Sequence, residues 1–324
     1  MNPIVYPLFA FIGMFFLIIL IVQLLKRRGV FDDSHQQVFD RLVTEFALPA
    51  IVFGLLTTTT LRAEWVLPVL IVIGAVLVTM LVAWGVCRVF KITPAATGTI
   101  VILSAIGSTY TLGGPVLGAV FGLQSEQMAL GQVIGSFGFA LPFFTLGILV
   151  VGYFGLAEKG EHRSLPAFLK NFFTSPIFLA FWLGLIVSIL FSTFHFPGAD
   201  IYRDMFSDFF EVIQHAVNLL VWIAIGLLLR PVRLRTLIPV IALVSTMHLL
   251  ILPALVFAGG YAVGLPVMQL YVAILMAALP CGAIAAVVAD RYGCDGKLAS
   301  AIVISTYILS LVTLPVFMIL IPGL

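Results

Sequence analysis

Long apolar segments without charged side chains recur along the chain, and they constrain its fold more than any other feature. The first, Pro3 to Leu25, contains no charged residue. A helix needs about 20 apolar residues to cross a bilayer, and only 9% of this chain is charged, against about 25% of a typical soluble domain. The sequence therefore predicts an all-α integral membrane protein. The apolar runs predict ten transmembrane helices, at 3–25, 37–58, 65–89, 94–121, 127–153, 172–194, 205–229, 236–259, 266–289 and 297–322.

The basic residues fall mainly in alternate loops, which predicts how the chain is oriented in the membrane. Most of the 16 Lys and Arg residues lie in the first, third, fifth, seventh and ninth loops between the predicted helices. The other loops hold only Arg62 and Arg203. Because cytoplasmic loops are enriched in Lys and Arg, we expect a multi-pass protein of the cell (inner) membrane with both termini outside the cytoplasm.

Two parts of the chain resemble each other at a spacing of about 170 residues. AVFGLQSEQMALGQVIGSFGF, near the end of predicted helix 4, pairs with VVADRYGCDGKLASAIVISTYI, near the end of predicted helix 9, with Gly122 opposite Gly293. We infer a first five-helix repeat at 1–155, a cytoplasmic linker at 156–171 and a second repeat at 172–324. Because five is an odd number, the repeats have opposite topology, and such inverted repeats are typical of secondary transporters.

The fourth helix of each repeat contains Gly and Pro at mid-depth. Gly107 to Pro115 interrupts predicted helix 4, and Ala278 to Ala283 interrupts predicted helix 9. Proline removes a backbone donor and glycine tolerates non-helical dihedral angles, so both segments are predicted to be unwound. The alternative is that each is a simple proline kink, which membrane helices tolerate.

In an inverted repeat the two broken helices cross, and the half-helices that follow the breaks point their N-termini at one place. A helix N-terminus carries free N–H groups and about half a positive charge, which favours an anion. We therefore expect the substrate-binding residues to be Ser108, Thr109, Tyr110, Gly113, Gly114, Pro115, Pro280, Cys281 and Gly282.

A few ionisable residues lie inside the predicted helices, where such residues usually face a polar interior. Glu45 is in helix 2, and His215, with Asn218 nearly one turn later, is at the corresponding place in helix 7. A carboxylate and an imidazole are suited to carry a coupled proton. Alternatively, Glu45 pairs with Arg41 and His215 bonds to a neighbour. His248, in helix 8, is interpreted as a packing contact.

The sequence contains no motif for catalysis or for a metal ion. HExxH, GxSxG and phosphate-binding glycine loops are absent. Cys87, Cys281 and Cys294 do not have the spacing of metal ligands. We therefore expect free thiols, no cofactor, no metal site and no enzyme activity.

Four segments carry a resemblance to a known family of membrane proteins. They are RRGVFDDSHQQVFDRLVTEFALPAIVFGLL, GSTYTLGGPVLGAVFG, LVWIAIGLLLR and LMAALPCGAIAAVVADRYGCDGKLASAIVISTYILSLVTLPVF. With these segments the chain resembles the auxin efflux carrier family of permeases, in its prokaryotic branch, over essentially its full length. The resemblance implies a five-plus-five fold with crossed broken helices 4 and 9, related to the fold of bile-acid:sodium symporters. It further implies a panel of helices 1, 2, 6 and 7 that faces a core of helices 3–5 and 8–10.

The resemblance also bears on the substrate. Prokaryotic members handle small carboxylates such as malonate or malate. This chain departs from the family at the first break, where it has Ser108 in place of the usual asparagine. The resemblance therefore implies a small carboxylate without specifying which one.

Together these patterns predict a secondary active transporter that moves a small organic anion, a mono- or dicarboxylate, by alternating access. The coupling ion is expected to be H⁺, carried in symport by Glu45 or His215, or Na⁺ bound by several oxygen ligands. The expected partners are the anion, the lipid bilayer and a second copy in a homodimer, with no nucleic acid. The alternatives are a channel, or a sensor or scaffold that binds the ligand without transporting it.

Overall fold

The computed structural model of the chain is helical throughout the parts that it describes. These are residues 5–59, 62–158, 168, 170, 172–193, 199–229 and 234–320. The described residues contain no β-strand, and two of them form an isolated backbone bridge between distant segments. Most of the predicted linker at 156–171 lies outside the described residues.

The described residues from Val5 to Glu158 form eight α-helices, several of which are joined by π-helical turns. The α-helices are α1 (Val5–Arg27), α2 (Asp33–Arg41), α3 (Leu48–Thr58), α4 (Val66–Val89), α5 (Pro94–Ala105), α6 (Gly114–Phe121), α7 (Glu126–Val133) and α8 (Ile148–Glu158). The π-helical turns are Leu42–Ala47, Thr109–Gly113, Ile134–Ala140 and Phe143–Gly147, and a 3₁₀ turn at Ala63–Trp65 leads into α4.

The second half forms a further series of helices in the described residues. These are α9 (Pro176–Thr193), α10 (Ala199–Leu228), α11 (Leu234–Thr246), α12 (Leu252–Ala262), α13 (Val267–Ala277), α14 (Ala283–Arg291) and α15 (Gly296–Leu320). A π-helical turn at Met247–Ile251 joins α11 to α12. α3 packs against α9 and α10, α1 packs against α10, and α5 packs against α4 and α8.

Several helices have the length and composition of membrane spans. Five segments of the described chain are long and apolar enough to cross a bilayer, and shorter apolar helices accompany them. The five are Leu8–Arg27, Ala63–Val89, Glu126–Glu158, Leu237–Ala262 and Gly296–Met318. The surface of α1 indicates that these helices are surrounded by lipid. Met14 and Leu17 on its outer face are more than half exposed, whereas the outer face of a helix in water is mostly polar. The chain is therefore a multi-pass membrane protein.

Both predicted segments contain a break, but the first break is shorter than predicted, because residues 109–115 are helical. The first helix stops at Ala105, three residues follow, and a π-helical turn leads into α6. Pro115 is the second residue of α6, directly after this π-helical turn. The second helix stops at Ala277 and resumes at Ala283, with Pro280 between them. We refer to residues 106–108 as the first break and residues 278–282 as the second break.

Candidate functional site

The two breaks are hydrogen-bonded to each other in antiparallel directions. The N–H of Ser108 donates to the carbonyl of Pro280 at 2.7 Å, and the N–H of Gly282 donates to the carbonyl of Ile106 at 2.8 Å. A backbone bridge joins Gly107 to Cys281 at the same place. These bonds satisfy backbone groups that the breaks remove from their helices. The distant segments that the sequence predicts as unwound are thus parts of one structure.

A cluster of hydroxyl groups fixes the first break from the side. The Ser108 hydroxyl lies 2.7 Å from the hydroxyl of Tyr307 and also bonds to the hydroxyl of Thr111. Tyr307 is fully buried and stacks on Phe15 of α1, with ring centroids 4.3 Å apart. The Ser108 side chain is therefore held by protein partners on two sides, and Tyr307 is a member of the site that sequence reasoning missed.

Cys281 points away from the cavities of this region. Its Sγ donates to the carbonyl of Leu103 at 3.0 Å, and its N–H donates to the Thr306 hydroxyl at 3.3 Å. Cys281, Cys87 and Cys294 are all buried free thiols, as predicted. The contacts of Cys281 indicate that it supports the pairing of the breaks from behind.

A small cavity lies beside the paired breaks. Its volume is about 20 Å³, which is room for about one water molecule. Gly282 and the first turn of α14 form one wall, while Ser108, Thr109 and Thr111 form the other. The first N–H groups of a helix have no partner inside that helix, so the N-terminus of α14 directs donors toward this cavity.

A much larger cavity, of about 560 Å³, begins on the other side of Thr109 and Thr111. Its base includes Gly113, Gly114 and Pro115, so it reaches the N-terminus of α6. Toward the far ends of α3 and α6 its walls include Thr58, Thr59 and Leu123, of which Leu123 is 76% exposed. We call this space the main cavity, and Thr109 and Thr111 line both cavities.

The walls of the main cavity combine apolar side chains with polar ones that carry no fixed charge. His215 and Asn218, which the sequence singles out in predicted helix 7, line it. No Lys, Arg, Asp or Glu is among the described residues that line it. Asn218 presents a buried side-chain oxygen that has no hydrogen-bond partner among the described groups, and such a group is available to a ligand. The polar lining residues that are absent from the predicted site are Thr58, Thr59, Thr111, Gln132, Ser136 and Gln214.

The predicted binding residues divide between these places. Thr109, Gly113, Gly114 and Pro115 line the main cavity, and Ser108, Thr109 and Gly282 line the small one. Pro280 and Cys281 line neither cavity and take part in the contacts between the breaks. The side chain of Tyr110 lies outside the described part of the structure.

Glu45 is far from both cavities. Its carboxylate accepts a hydrogen bond from Nη2 of Arg291 at 2.7 Å, so its ion pair joins α14 rather than the neighbouring Arg41. Close by, the Gln36 amide donates to the Asp290 carboxylate at 2.6 Å. We call this group of four side chains the polar latch. It joins the α2–α3 segment to the end of α14, at the end of the molecule opposite Thr58.

Predicted helix 2 begins at residue 37, but α2 (Asp33–Arg41) is polar, so Asp40 lies before the apolar, membrane-spanning part of that segment. It packs near the polar latch. Its side chain is buried. Burial, and then the nearby Asp290 carboxylate, raise the pKa of Asp40 from 3.8 to about 7, because both disfavour a second negative charge. This carboxyl group therefore titrates near neutral pH.

His248, which the sequence analysis interprets as a packing contact, also has two hydrogen-bonding partners in distant segments. Its imidazole is fully buried between the two breaks. Nδ1 lies 3.2 Å from the carbonyl oxygen of Ser104, at the end of α5, and Nε2 lies 2.9 Å from that of Leu279, in the second break. It bridges the two broken helices, so it is more than a contact between neighbouring side chains.

Comparisons with known proteins agree with this architecture. A family model described as "Membrane transport protein" matches residues 9–165 and 156–318. The chain is 26% identical over 308 residues to a protein of Methanothermobacter thermautotrophicus named "Uncharacterized transporter", covering 93% of this chain and 94% of that protein. It is 23% identical over 299 residues to "Uncharacterized transporter MJ1031" of Methanocaldococcus jannaschii, covering 90% and 92%. With these matches over nearly its whole length, the chain belongs to the membrane transport protein family, the family of the auxin efflux carriers.

Proposed function

We propose that this protein is a secondary active transporter that moves a small organic anion, a mono- or dicarboxylate, by alternating access. The observation that carries the proposal is the base of the main cavity, where Thr109 and Thr111 lie in the first turn of the helical segment that follows the first break. Membership of a transport family supplies the general activity. The chemistry of the cavity supports the class of substrate.

An anion is favoured because the positive potential comes from the backbone. Each helix N-terminus carries about half a positive charge and unpartnered N–H groups. The continuous helical segment made of the π-helical turn Thr109–Gly113 and α6 begins directly after the first break, and α14 begins directly after the second. The cavity walls hold no carboxylate among the described residues, so nothing there repels an anion. A carboxylate at this place would accept from N–H groups and from the hydroxyls of Thr109 and Thr111.

Alternating access is supported by the difference between the two ends of the molecule. The main cavity extends to the exposed Leu123. At the opposite end the polar latch joins the α2–α3 segment to α14 through the 2.7 Å bond between Glu45 and Arg291. In alternating access, the substrate site is open to one side of the membrane and closed to the other in each conformation. This structure has one open end and one fastened end. The latch opens when the substrate is released to the other side.

The same proposal includes the topology that the sequence predicts. Ten segments cross the membrane as two inverted five-helix repeats, at 1–155 and 172–324, with both termini outside the cytoplasm of the cell membrane. The packing of α1, α3, α9 and α10 on one another supports a separate panel, and the paired breaks lie in the core that moves against it. In this orientation the main cavity faces outside and the polar latch faces the cytoplasm.

Two points of the proposal concern partners. Transport is coupled to H⁺ or to Na⁺, with His215 in the wall of the main cavity and Glu45 in the polar latch as the residues that carry a proton in the first case. The protein forms a homodimer through the panel helices. No resident cofactor takes part in the mechanism, and no catalytic step is involved.

The test is thermal stability of the purified protein in detergent with a panel of small carboxylates, with and without sodium and at two pH values. A ligand that binds only the folded state raises the melting temperature. We expect malonate or a related acid to do so, and Thr109→Val to weaken its apparent affinity about tenfold or more, because one charge-assisted hydrogen bond is lost.

The matched control is Thr79→Val, which removes a buried hydroxyl that bonds only to Ala75 within α4, away from both cavities. This variant is expected to keep the affinity of the wild type. If no carboxylate raises the melting temperature while an uncharged or cationic compound does, the anion assignment is wrong.

A further inference from the structure

The surroundings of His248 are unusual for a buried histidine, because both ring nitrogens face oxygen atoms that only accept hydrogen bonds. Nδ1 is 3.2 Å from the carbonyl oxygen of Ser104, and Nε2 is 2.9 Å from the carbonyl oxygen of Leu279. The ring has no exposed surface. No water molecule can therefore reach either ring nitrogen and donate a hydrogen bond to it.

Both carbonyls are available because the helices are broken. In an uninterrupted helix the carbonyl of Ser104 would accept from the N–H of Ser108, but that N–H donates to Pro280 across the pair of breaks. The carbonyl of Leu279 lies in the second break, beyond the end of α13. The imidazole thus takes the place of backbone donors that the breaks have removed.

The count of hydrogens distinguishes between the forms of the ring. A neutral imidazole has one N–H, so one of its nitrogens would direct a lone pair at a carbonyl oxygen. An imidazolium has two N–H groups and donates to both carbonyls. The arrangement around His248 is complete for the charged ring only.

The local charges favour the same form. α5 and α13 both end at the breaks, and each helix C-terminus carries about half a negative charge. The elements packed against the His248 turn, namely α4, α5, α11, α12 and α15, contain no Asp or Glu. Their titratable residues, with the one in the second break, are Cys87, Arg88, Arg235, Tyr261, Lys297, Tyr307 and Cys281. None of these elements offers a carboxylate as a counter-charge, so the two carbonyl groups and the two helix C-termini are the groups that offset the cost of burying a charged ring.

The position of the ring connects it to the anion site. A Cβ placed on Gly107 would lie 3.5 Å from Nε2, and the next residue, Ser108, lines the small cavity. The ring lies on the side of the breaks where two helices end, and the cavities lie where α6 and α14 begin. A positive charge at His248 adds to the positive potential of those two N-termini.

We propose that His248 is a buried imidazolium that serves as a built-in cation of this transporter, bridging the two breaks and favouring the organic anion. In transporters with broken helices, half-helix C-termini and unwound carbonyls commonly bind the coupling sodium ion. Here the imidazole of His248 occupies the corresponding carbonyl groups, those of Ser104 and Leu279, by hydrogen bonding. Binding of the anion therefore does not require sodium. The consequence for binding rests on the proposed function, whereas the charge of the ring does not.

The direct test is nitrogen NMR of the ring in a variant that keeps His248 as its only histidine, with His35, His162, His195 and His215 replaced by Gln. The single remaining signal needs no further assignment. At pH 7 we expect both ring nitrogens to carry a proton and the chemical shifts to stay constant from pH 6 to pH 8. A bare ring nitrogen at pH 7 overturns the proposal.

The second test uses malonate-dependent melting of the wild type and of His248→Gln. We expect equal stabilisation of the wild type in sodium and in potassium chloride, and at least a tenfold weaker apparent affinity in His248→Gln. Ser245→Ala is the control, because it removes a buried hydroxyl without a partner one turn earlier. Stabilisation of the wild type that requires sodium contradicts the proposal. If malonate does not change the melting temperature of the wild type, the proposed function is wrong about malonate as a ligand. The NMR result still decides the charge of His248.

Discussion

Gly282 provides a sharp test of the paired breaks, because its role is to leave space. Its dihedral angles, φ −67° and ψ 116°, belong to a region that any residue adopts. A Cβ at this position would lie 3.1 Å from the carbonyl oxygen of Gly107 and 3.4 Å from that of Ile106. Both contacts are with backbone, which cannot rotate away. Alanine at 282 therefore pushes the two breaks apart by a few tenths of an ångström.

The size of the effect follows from the bonds that share this contact. The N–H of Gly282 donates to Ile106 at 2.8 Å, and the N–H of Ser108 donates to Pro280 at 2.7 Å. Weakening one buried hydrogen bond costs about 1 kcal/mol, which is about a fivefold change in an equilibrium constant. Valine adds two methyl groups in the same place, and overpacking of this kind costs a further 1–3 kcal/mol, roughly.

We expect Gly282→Ala to lower the melting temperature and to weaken the binding of a stabilising carboxylate about fivefold, with a larger loss in Gly282→Val. The controls are Gly13→Ala and Gly13→Val in α1, where a new Cβ meets no atom within 4 Å. These should leave binding unchanged. If Gly282→Val binds the carboxylate and melts as the wild type does, the close pairing of the breaks is not part of the site.

Three further predictions concern regions outside the cavities. The side chains of Glu45 and Arg291 are 55% and 37% exposed, so a double-mutant cycle with Gln at both positions should show a coupling energy of only about 0.5 kcal/mol. The ratio of the open to the fastened conformation of the latch is measured by the reaction of a cysteine engineered into the cavity. Gly155→Ala should destabilise the fold by about 2 kcal/mol or more, because its Cβ would lie 1.9 Å from the carbonyl oxygen of Tyr292; thermal melting measures this. In the folded protein the pKa of Asp40 is raised to about 7, so the wild type should lose stability as the pH rises from about 4 through 7. Asp40→Asn has no carboxyl group at this position and should lack this pH dependence of stability.

Each of these has an outcome that contradicts it. A coupling above about 2 kcal/mol would mean that the ion pair of the latch is far less hydrated than its exposure indicates. For Gly155 the reference is Gly74→Ala in α4, where the added methyl meets no atom within 4 Å; equal melting temperatures of the two variants would refute the contact. If the wild type and Asp40→Asn have parallel pH profiles, folding does not raise the pKa of Asp40.

The breaks could be placed from the sequence because Gly and Pro act locally. Gly107 and Pro280 fall within the observed breaks, and Pro115 is the second residue of α6. These residues change the dihedral angles and hydrogen bonds of their own segments, so no knowledge of the tertiary structure was needed. The lengths of the apolar runs likewise identify membrane helices by the thickness of the bilayer alone.

The partners of particular side chains could not be predicted, because they depend on how distant helices cross. Glu45 pairs with Arg291 although Arg41 is one turn away in sequence. His248 was interpreted as a packing contact because a lone histidine in an apolar helix carries no local signal, and only the pairing of the breaks brings Ser104 and Leu279 to its two nitrogens. The sequence signal near His248 is Pro253. The structure has a π-helical turn at Met247–Ile251, just before it, and such turns often occur at functional sites.

The uncharged polar residues of the main cavity were missed for a related reason. Gln132 and Gln214 lie in segments whose other residues are mostly apolar, and a single amide in such a segment is compatible with many environments. Their shared position in one cavity wall is a property of the tertiary structure. The sequence therefore identifies the segments of the site better than its individual side chains.

The central claim is that this protein carries a small organic anion, and counterflow in proteoliposomes tests it most directly. Vesicles loaded with unlabelled malonate, malate or another small carboxylate are diluted into the same labelled acid at low concentration. A carrier with alternating access exchanges the two, so labelled acid should accumulate transiently above its external concentration, and Thr109→Val should reduce the rate. Equilibration without transient accumulation would indicate a channel, and accumulation of only uncharged or cationic compounds would contradict the anion site.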